Sequence, residues 1–341
     1  MGGARKAIWA QLPPLPAANL AELVRGYENA GLAGIWSPQL FGSPFSTLAA
    51  AAMVSDKLQL GTGIALAFTR SPLETACDAL DLDIISNGRC VLGLGSSAES
   101  QITGSFGSTY GKPLAHMREV VAIIRAVVEH GHSGTLTTLG GDYHTLDLRR
   151  FRTLAAPVRD AIPIYLPAVF GKACAQAGEI VDGLLGHPLW NDHWIRNCVP
   201  VHLKTGLDRS GRDRQALALN LMVFTVINAD KAEGIEDARA TIAYYSQSAQ
   251  YLPYFDAIGF GTEARAIQAA FAANDFIAMA VACSDAMVES IALVGPADMV
   301  RARMAQRSAT ADAITPVIPH FGLSHDKTAF YTNAIADNFY G

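Results

Sequence analysis

The sequence predicts a single α/β domain over residues 1–341, folded as a (β/α)8 TIM barrel with loop insertions. Three observations support this prediction. Short apolar segments alternate with helical segments along the whole chain. Half of the residues are apolar while 17% are charged, and no linker-like change of composition divides the chain. Eight strands that are each followed by a helix are typical of this barrel.

The expected strands are short and apolar, and several end at glycine or proline. They cover residues 7–12, 35–36, 58–64, 90–94, 162–166, 183–185, 217–227 and 314–318. The helices that follow them cover residues 19–30, 46–55, 72–86, 113–130, 172–180, 190–207, 231–246 and 326–339. Asn19 is the expected N-cap of the first helix, with Glu22 at the capping-box position.

The signals are clearest in residues 58–97, where a strand, a helix and a second strand are expected. Pro72 suits a first helical turn, where its missing N–H costs nothing. Asn87-Gly88 is expected to end that helix, because glycine readily adopts the left-handed conformation found just past a helix end. The apolar runs on either side make this segment a parallel βαβ unit.

Three longer connections are expected as insertions. Residues 96–112 are rich in glycine and serine, and residues 131–156 combine strand-forming and turn-forming residues. Residues 247–310 are irregular, mostly helical and rich in tyrosine and phenylalanine.

The composition also limits the ligands and the location. A net charge of −5 without a Lys/Arg run longer than two residues argues against nucleic acid as the main ligand. We expect no membrane span and no signal-peptide core, because no long uninterrupted apolar window occurs. Five scattered cysteines without a CxxC motif are typical of free thiols in a reducing cytoplasm.

The run Gly93-Leu94-Gly95-Ser96-Ser97-Ala98 formally matches the G-x-G-x-x-A dinucleotide motif. That motif should open directly into a helix, whereas a long polar loop follows here, and no acidic residue stands at the end of a second strand about twenty residues on. A Gly/Ser loop that presents N–H groups and hydroxyls to an anion is the favoured interpretation.

Other candidate groups follow later strands. Lys172 stands at an expected helix start, where free N–H groups and an ammonium group would suit a phosphate, although an ordinary turn is also compatible. His187 and His320 each follow a barrel strand, on the face where barrel enzymes place catalytic groups. His130 and His132 have no third ligand nearby in sequence, so no metal site is predicted.

The residues resemble those of the luciferase-like monooxygenase superfamily. Residues 60–97, LGTGIALAFTRSPLETACDALDLDIISNGRCVLGLGSS, are similar to the family pattern L-G-T-G-V, R-x-P, S-x-G-R and L-G-L-G. Weaker matches occur at 30–36, 163–165, 177–183 and 206–213. The run 177–183 followed by His187-Pro188 is most similar to the branch that uses coenzyme F420, a deazaflavin.

The resemblance implies a flavin-like ring at the carboxyl ends of the strands. It implies a non-prolyl cis peptide at Gly63–Ile64, in a bulge that backs the ring together with Ala65. It also places Gly95, Ser96, Ser97 and Gln101 near the coenzyme tail. The coenzyme phosphate would meet Val169, Phe170 and Gly171, next to the helix-start candidate Lys172.

The chain departs from the family after the second strand. Several relatives carry an acid or a histidine there that touches the ring or transfers a proton, whereas this chain has Gln39. A glutamine donates and accepts hydrogen bonds but is not an acid or base at neutral pH. Proton transfer would then fall to His187, to His320 or to solvent.

Three hypotheses follow for the function. The first is an F420-dependent oxidoreductase that transfers a hydride between C5 of the deazaflavin and a small apolar or aromatic substrate. The second is an FMN-dependent monooxygenase that takes reduced flavin from a partner reductase and activates oxygen. The third is a barrel that binds a small ligand without redox chemistry. The resemblance further implies a homodimer.

Overall fold

The structure, a computed structural model, describes residues 6–341. Residues 1–5 lie outside the described residues. They belong to the N-terminal segment in which no signal-peptide core is expected. The strands are β1 (Ala7–Gln11), β2 (Gly34–Ser37), β3 (Gln59–Thr62), β4 (Ala65–Leu66), β5 (Cys90–Gly95), β6 (Thr138–Gly140), β7 (Thr145–Asp147), β8 (Ile164–Ala168), β9 (Gly183–Gly186), β10 (Ala218–Ile227), β11 (Leu293–Gly295) and β12 (Ala313–Val317).

Eight of these strands form a closed parallel barrel. The order is β1-β2-β3-β5-β8-β9-β10-β12, and β12 pairs with β1. The predicted fold class is therefore confirmed. The helices are α1 (Ala17–Asn29), α2 (Pro44–Ala52), α3 (Pro72–Ile85), α4 (Pro113–His130), α5 (Gly171–Ile180), α6 (Val199–Ser210), α7 (Lys231–Ser246), α8 (Leu252–Ala257), α9 (Gly261–Ala272), α10 (Phe276–Ala282), α11 (Asp285–Ile291), α12 (Ala297–Arg307) and α13 (His325–Phe339).

The long connections contain structure of their own. Residues 131–156 carry the antiparallel hairpin β6–β7. Residues 247–310 contain helices α8–α12 and β11, and β11 pairs with the upper end of β10. The polar loop after β5 contains a five-residue π-helix, Gln101–Ser105. The connections between β10 and β12 therefore build a helical layer at the carboxyl end of the barrel.

Three predicted boundaries differ from the structure. Helix α1 begins before Asn19, with Pro16 at the N-cap, so the predicted Asn19 cap is wrong. The predicted strand 58–64 ends at Thr62 as β3, and β4 begins at Ala65 after a break at Gly63–Ile64. The predicted helix 190–207 is mostly helical but not uniform, because a π-helix at residues 194–198 leads into α6 at residue 199.

The start and stop signals of α3 act as the sequence predicts. The Ser71 hydroxyl accepts a hydrogen bond from the Leu73 N–H at 3.2 Å, and Pro72 occupies the first turn. Past the end of the helix, Asn87 and Gly88 both have positive φ, at 55° and 81°. The helix therefore ends where the sequence predicts.

The barrel interior is filled by aromatic side chains. Trp9 and Trp36 stack with their ring centroids 4.2 Å apart, and Tyr165 packs against Trp36 at 5.6 Å. The glycine at position 61 leaves room for them, because a Cβ there would lie 2.2 Å from the Trp36 ring. The barrel is thus a packed core, and ligand space is confined to its ends.

Candidate active site

The sequence-predicted site residues lie at the carboxyl ends of the barrel strands. Because all eight strands are parallel, residues that follow them share one rim of the barrel. This rim holds Gln39 after β2, Gly63 and Ile64 after β3, Ser96 and Ser97 after β5, Val169 and Phe170 after β8, His187 after β9 and His320 after β12.

A bulge between β3 and β4 forms one part of the rim. The Gly63–Ile64 peptide bond is cis, as the resemblance implies. The Gly63 N–H donates to the Ser37 carbonyl at 2.8 Å, and the Gln39 N–H donates to the Ile64 carbonyl at 3.1 Å. Both bonds join the bulge to the chain that follows β2. The bulge is thus fixed by backbone contacts with the neighbouring strand.

Gln39 also supports this bulge through its side chain. The Gln39 side chain is buried, and its Oε1 accepts a hydrogen bond from the Leu66 N–H at 2.9 Å. No partner for its Nε2 is found within residues 6–341. The side chain therefore holds β4 in place and retains one N–H donor group for a ligand.

The glycines of the dinucleotide-like motif have a packing role. A Cβ at Gly95 would lie 1.8 Å from Ile64 Cδ1, and a Cβ at Gly93 would lie 2.1 Å from the Thr62 carbonyl oxygen. After β5 the chain enters a loop and then a π-helix, not an α-helix that opens at the glycines. The Gly93 and Gly95 positions thus accommodate β3 and the bulge, and the geometry does not form a dinucleotide motif.

The loop after β5 is tied to the loop after β2. Ser97 has a positive φ of 55°, and its hydroxyl donates to Gln101 Oε1. Gln101 Nε2 donates to the Leu40 carbonyl at 3.0 Å, and the Tyr110 hydroxyl donates to the Ser97 carbonyl at 3.1 Å. These bonds fix the segment that the resemblance places near the coenzyme tail.

The start of α5 presents a small group of anion-binding features. Phe170 is the N-cap residue, and its carbonyl accepts from the Ala173 and Cys174 N–H groups at 3.1 Å. The N–H groups of Gly171 and Lys172 stand in the first helical turn, where no carbonyl lies one turn back. Lys172 is exposed, and no ion-pair partner for it occurs within residues 6–341. This arrangement suits a phosphate.

His187 lies in an aromatic environment at the end of β9. Its ring packs against Tyr245 at 5.4 Å and Tyr251 at 5.8 Å between centroids. Its Nδ1 accepts a hydrogen bond from the Leu189 N–H at 3.2 Å. Desolvation lowers the pKa of His187 to about 4. The ring is therefore neutral at pH 7 with its proton on Nε2, and it offers a donor to the rim.

His320 is placed differently from His187. It is exposed, its carbonyl accepts from the Leu323 N–H, and its ring packs on Phe321 at 4.4 Å. No hydrogen bond orients the ring within the described chain. The two predicted histidines thus differ, since His187 is oriented inside the rim and His320 faces solvent.

An aromatic wall beside His187 includes residues that the sequence did not single out. Tyr245 packs against Phe224 and Tyr251, while Phe170 stacks near Tyr251 at 6.3 Å. Burial raises the pKa of Tyr245 to about 12, so its hydroxyl remains protonated at neutral pH. Tyr245 lies in the last turn of α7, where an aromatic residue indicates ordinary helix packing. Its contact with His187 at the rim is visible only in the structure.

A cluster formed by His116 and His144 lies outside the rim and supports it. His116 is buried between Phe68, 3.9 Å away and parallel, and Tyr143, 4.3 Å away. Its Nδ1 lies 3.0 Å from the Tyr110 carbonyl, and its Nε2 lies 2.9 Å from His144 Nε2. The carbonyl requires a proton on His116 Nδ1, so His116 Nε2 accepts from His144. The cluster joins the hairpin β6–β7 to the loop that holds Ser97.

We expect this cluster to make the fold sensitive to acid. Desolvation and the neighbouring His116 lower the pKa of His144. A histidine whose folded pKa is lowered stabilises fully above about pH 6.5, and this stability is lost as the pH falls. Urea unfolding at pH 7.5 and pH 5.0 measures the effect.

The His144→Gln variant is the comparison for this measurement. It keeps an amide donor for His116 but has no group that titrates. Its loss of unfolding free energy between pH 7.5 and pH 5.0 should be smaller than that of the wild type. An equal loss in both proteins would assign the acid sensitivity to other groups.

Within residues 6–341, no group of three or more His, Cys, Asp or Glu side chains is placed to hold a metal ion. In the same range no helix is long and apolar enough to cross a membrane.

Comparison with known sequences gives concordant matches. A sequence model of the family described as luciferase-like monooxygenase matches residues 4–313. An uncharacterized protein of Mycobacterium tuberculosis is 31% identical over 322 residues, which cover 93% of this chain and 95% of that protein. The 5,10-methylenetetrahydromethanopterin reductase of Methanolobus tindarius is 26% identical over 300 residues, which cover 86% of this chain and 87% of the reductase.

Solved structures share the fold over nearly the whole chain. The coenzyme F420 dependent tetrahydromethanopterin reductase of Methanopyrus kandleri has a TM-score of 0.76 at 22% identity, covering 98% of each chain. The oxygenating constituent of 3,6-diketocamphane monooxygenase from Pseudomonas putida, in complex with FMN, has a TM-score of 0.65 at 13% identity. That match covers 99% of this chain and 98% of the monooxygenase.

Proposed function

Because the chain belongs to the luciferase-like monooxygenase family, we propose that it is an oxidoreductase that uses coenzyme F420 to exchange a hydride with a small organic substrate. The two reductases and the monooxygenase to which the chain is similar are enzymes, and the chain is therefore an enzyme. The name of the Methanopyrus kandleri reductase, which states its dependence on coenzyme F420, supports F420 as the coenzyme.

The observation that carries this proposal is the pairing of two features on one rim. The α5 start, with the free N–H groups of Gly171 and Lys172, suits the coenzyme phosphate. The bulge at Ile64, supported by Gln39, offers a fixed backbone surface for a flat ring. Val169, which precedes the α5 start, is held by the Trp190 indole, whose N–H donates to the Val169 carbonyl at 3.1 Å.

The residues of the chain orient the reactants and exclude water. When bound, F420 supplies the hydride chemistry at C5 of its deazaflavin ring. Gly63, Ile64 and Ala65 would back the ring, and Gln39 Nε2 would donate to a polar atom of it. The loop of Gly95, Ser96, Ser97 and Gln101 would border the part of the tail that lies between the ring and the phosphate. These contacts would fix the face of the ring that the substrate approaches.

The substrate would lie between the ring and the aromatic wall. Phe170, Tyr245 and Tyr251 give that wall an apolar surface with few polar groups, which favours an apolar or aromatic substrate. His187 would donate from Nε2 to a carbonyl or hydroxyl oxygen and stabilise negative charge on it. His320, which faces solvent, would exchange protons with water.

The alternative is an FMN-dependent monooxygenase that receives reduced flavin from a partner reductase. The FMN-bound monooxygenase of similar fold favours it, and the phosphate of FMN suits the α5 start equally well. We propose a homodimer for either activity, which light scattering of the purified protein would measure.

Binding titrations separate the two candidates. We expect the purified protein to quench the fluorescence of F420 with a micromolar dissociation constant and to bind FMN at least tenfold more weakly. A Lys172→Ala variant should weaken F420 binding by about threefold to tenfold, since it loses one partly exposed contact to the phosphate. Micromolar FMN binding without F420 binding would exclude the F420 proposal in favour of the alternative.

A further inference from the structure

A groove of about 470 Å³ runs along the outer face of α5, between α4 and α6. Its floor is shallow because α5 presents only small residues there, Gly171 and Ala175. The longer Gln176 side chain is held down by a hydrogen bond from its Nε2 to the Leu114 carbonyl. Helix α6 packs tightly against this floor, since a Cβ at Gly206 would lie 1.8 Å from the Ala175 carbonyl oxygen.

The groove is basic although the protein is acidic overall. Arg118, Lys172 and Arg209 line it, and the single carboxylate among the lining residues is Glu179. Arg118 lies 2.9 Å and Arg209 3.8 Å from the Glu179 carboxylate, so two cations share one anion. His202 lies against Gly171 at the upper end. This surplus of positive charge stands on a chain whose net charge is −5.

The groove begins where the proposed phosphate site ends. Gly171 and Lys172 line the groove and also form the first turn of α5. Seven residues of helix separate Lys172 from Glu179, a rise of about 10 Å. An anion bound at the α5 start and continuing outward would therefore pass along the cationic side chains.

We propose that this groove binds the anionic tail of the coenzyme, the γ-linked glutamates that follow the phosphate of F420. The proposal rests on the proposed function and goes beyond it, because the groove would distinguish F420 from FMN, which ends at its phosphate. Arg118 and Arg209 are about half exposed. Their contacts with the tail carboxylates are therefore individually weak, additive and sensitive to salt.

The test compares two ligands that differ only in the tail. The first is F420 with its glutamates, and the second is F420 from which all glutamates have been removed while the phosphate remains. We expect wild-type protein to bind the first about tenfold more tightly at low salt, and the preference to fall below threefold in 0.5 M salt. The Arg118→Gln/Arg209→Gln double variant should lose the preference and bind trimmed F420 as the wild type does.

Two further variants make the result specific. Glu179→Gln removes the competing anion, so it should strengthen binding of the full tail by about threefold and leave trimmed F420 unaffected. Lys204→Gln removes a cation on α6 that pairs with Asp208 outside the groove, and it should change neither affinity.

The outcomes separate this proposal from the proposed function. Equal affinity of wild-type protein for the two ligands would overturn the groove proposal while leaving F420 as the coenzyme. Equal weakening of both ligands by the double variant would also overturn it. Failure to bind either ligand would overturn both proposals.

Discussion

Replacing His187 with alanine is expected to lower turnover about a hundredfold while leaving the F420 dissociation constant within twofold of the wild type. The reason is the state of the ring. Its Nδ1 accepts a hydrogen bond from the Leu189 N–H, and its pKa is lowered to about 4. Nε2 therefore keeps its proton and donates a hydrogen bond through it. Removal of a single donor of this kind costs roughly 10²–10³ in rate when charge develops on the substrate oxygen. Steady-state assays with reduced and oxidised F420 measure it.

The His187→Gln variant distinguishes a hydrogen-bond donor from a proton-transferring base. Its amide N–H reaches about as far as Nε2, so it should recover turnover to within tenfold of the wild type. The wild-type rate should show no ionisation of this ring between pH 6 and pH 8. If the wild-type rate does change with pH in that range, and if this dependence disappears in His187→Gln, the imidazole exchanges its proton in the reaction.

The barrel could be predicted from the sequence because the spacing of apolar residues indicates which side chains are buried. Eight apolar segments, each followed by a helical pattern, are sufficient for the closed sheet. Periodicity does not report where a strand breaks, so residues 58–64 were expected as one strand. The break at Gly63–Ile64 leaves the apolar pattern continuous, and only the resemblance pointed to it.

The site was predictable in position but less so in the direction of its side chains. Gln39 was expected to touch the coenzyme, and the structure shows that half of its amide holds β4. His116 and His144 are 28 residues apart in sequence, so no local pattern could reveal their contact. His187 and His320 follow strands in the same way, but the loops after the strands orient them differently.

Gly93→Ala is expected to be the most damaging of the conservative substitutions at the rim. A Cβ at this position would lie 2.1 Å from the Thr62 carbonyl oxygen, which is a backbone atom of the adjacent barrel strand. The Thr62 hydroxyl also donates to the Gly93 carbonyl at 2.7 Å, so the two strands are joined closely here. Neither can move without disturbing other pairs of the sheet. We expect an unfolding free energy lower by about 3 kcal/mol and weaker coenzyme binding, because Thr62 leads directly into the bulge.

The same chemical change at Gly26 is the matched control. Gly26 lies inside α1, and apart from the surrounding helix backbone and its two chain neighbours no atom of the described chain lies within 4 Å of the Cβ that alanine would add. Alanine suits a helix interior better than glycine, so Gly26→Ala should raise the unfolding free energy by about 0.5–1 kcal/mol. Urea unfolding of both variants, with F420 titration of the folded proteins, gives the two comparisons. If Gly93→Ala were as stable as Gly26→Ala, the close contact between β3 and β5 would not constrain the rim. The spacing of Gly93 and Gly95 would then require a ligand to explain it.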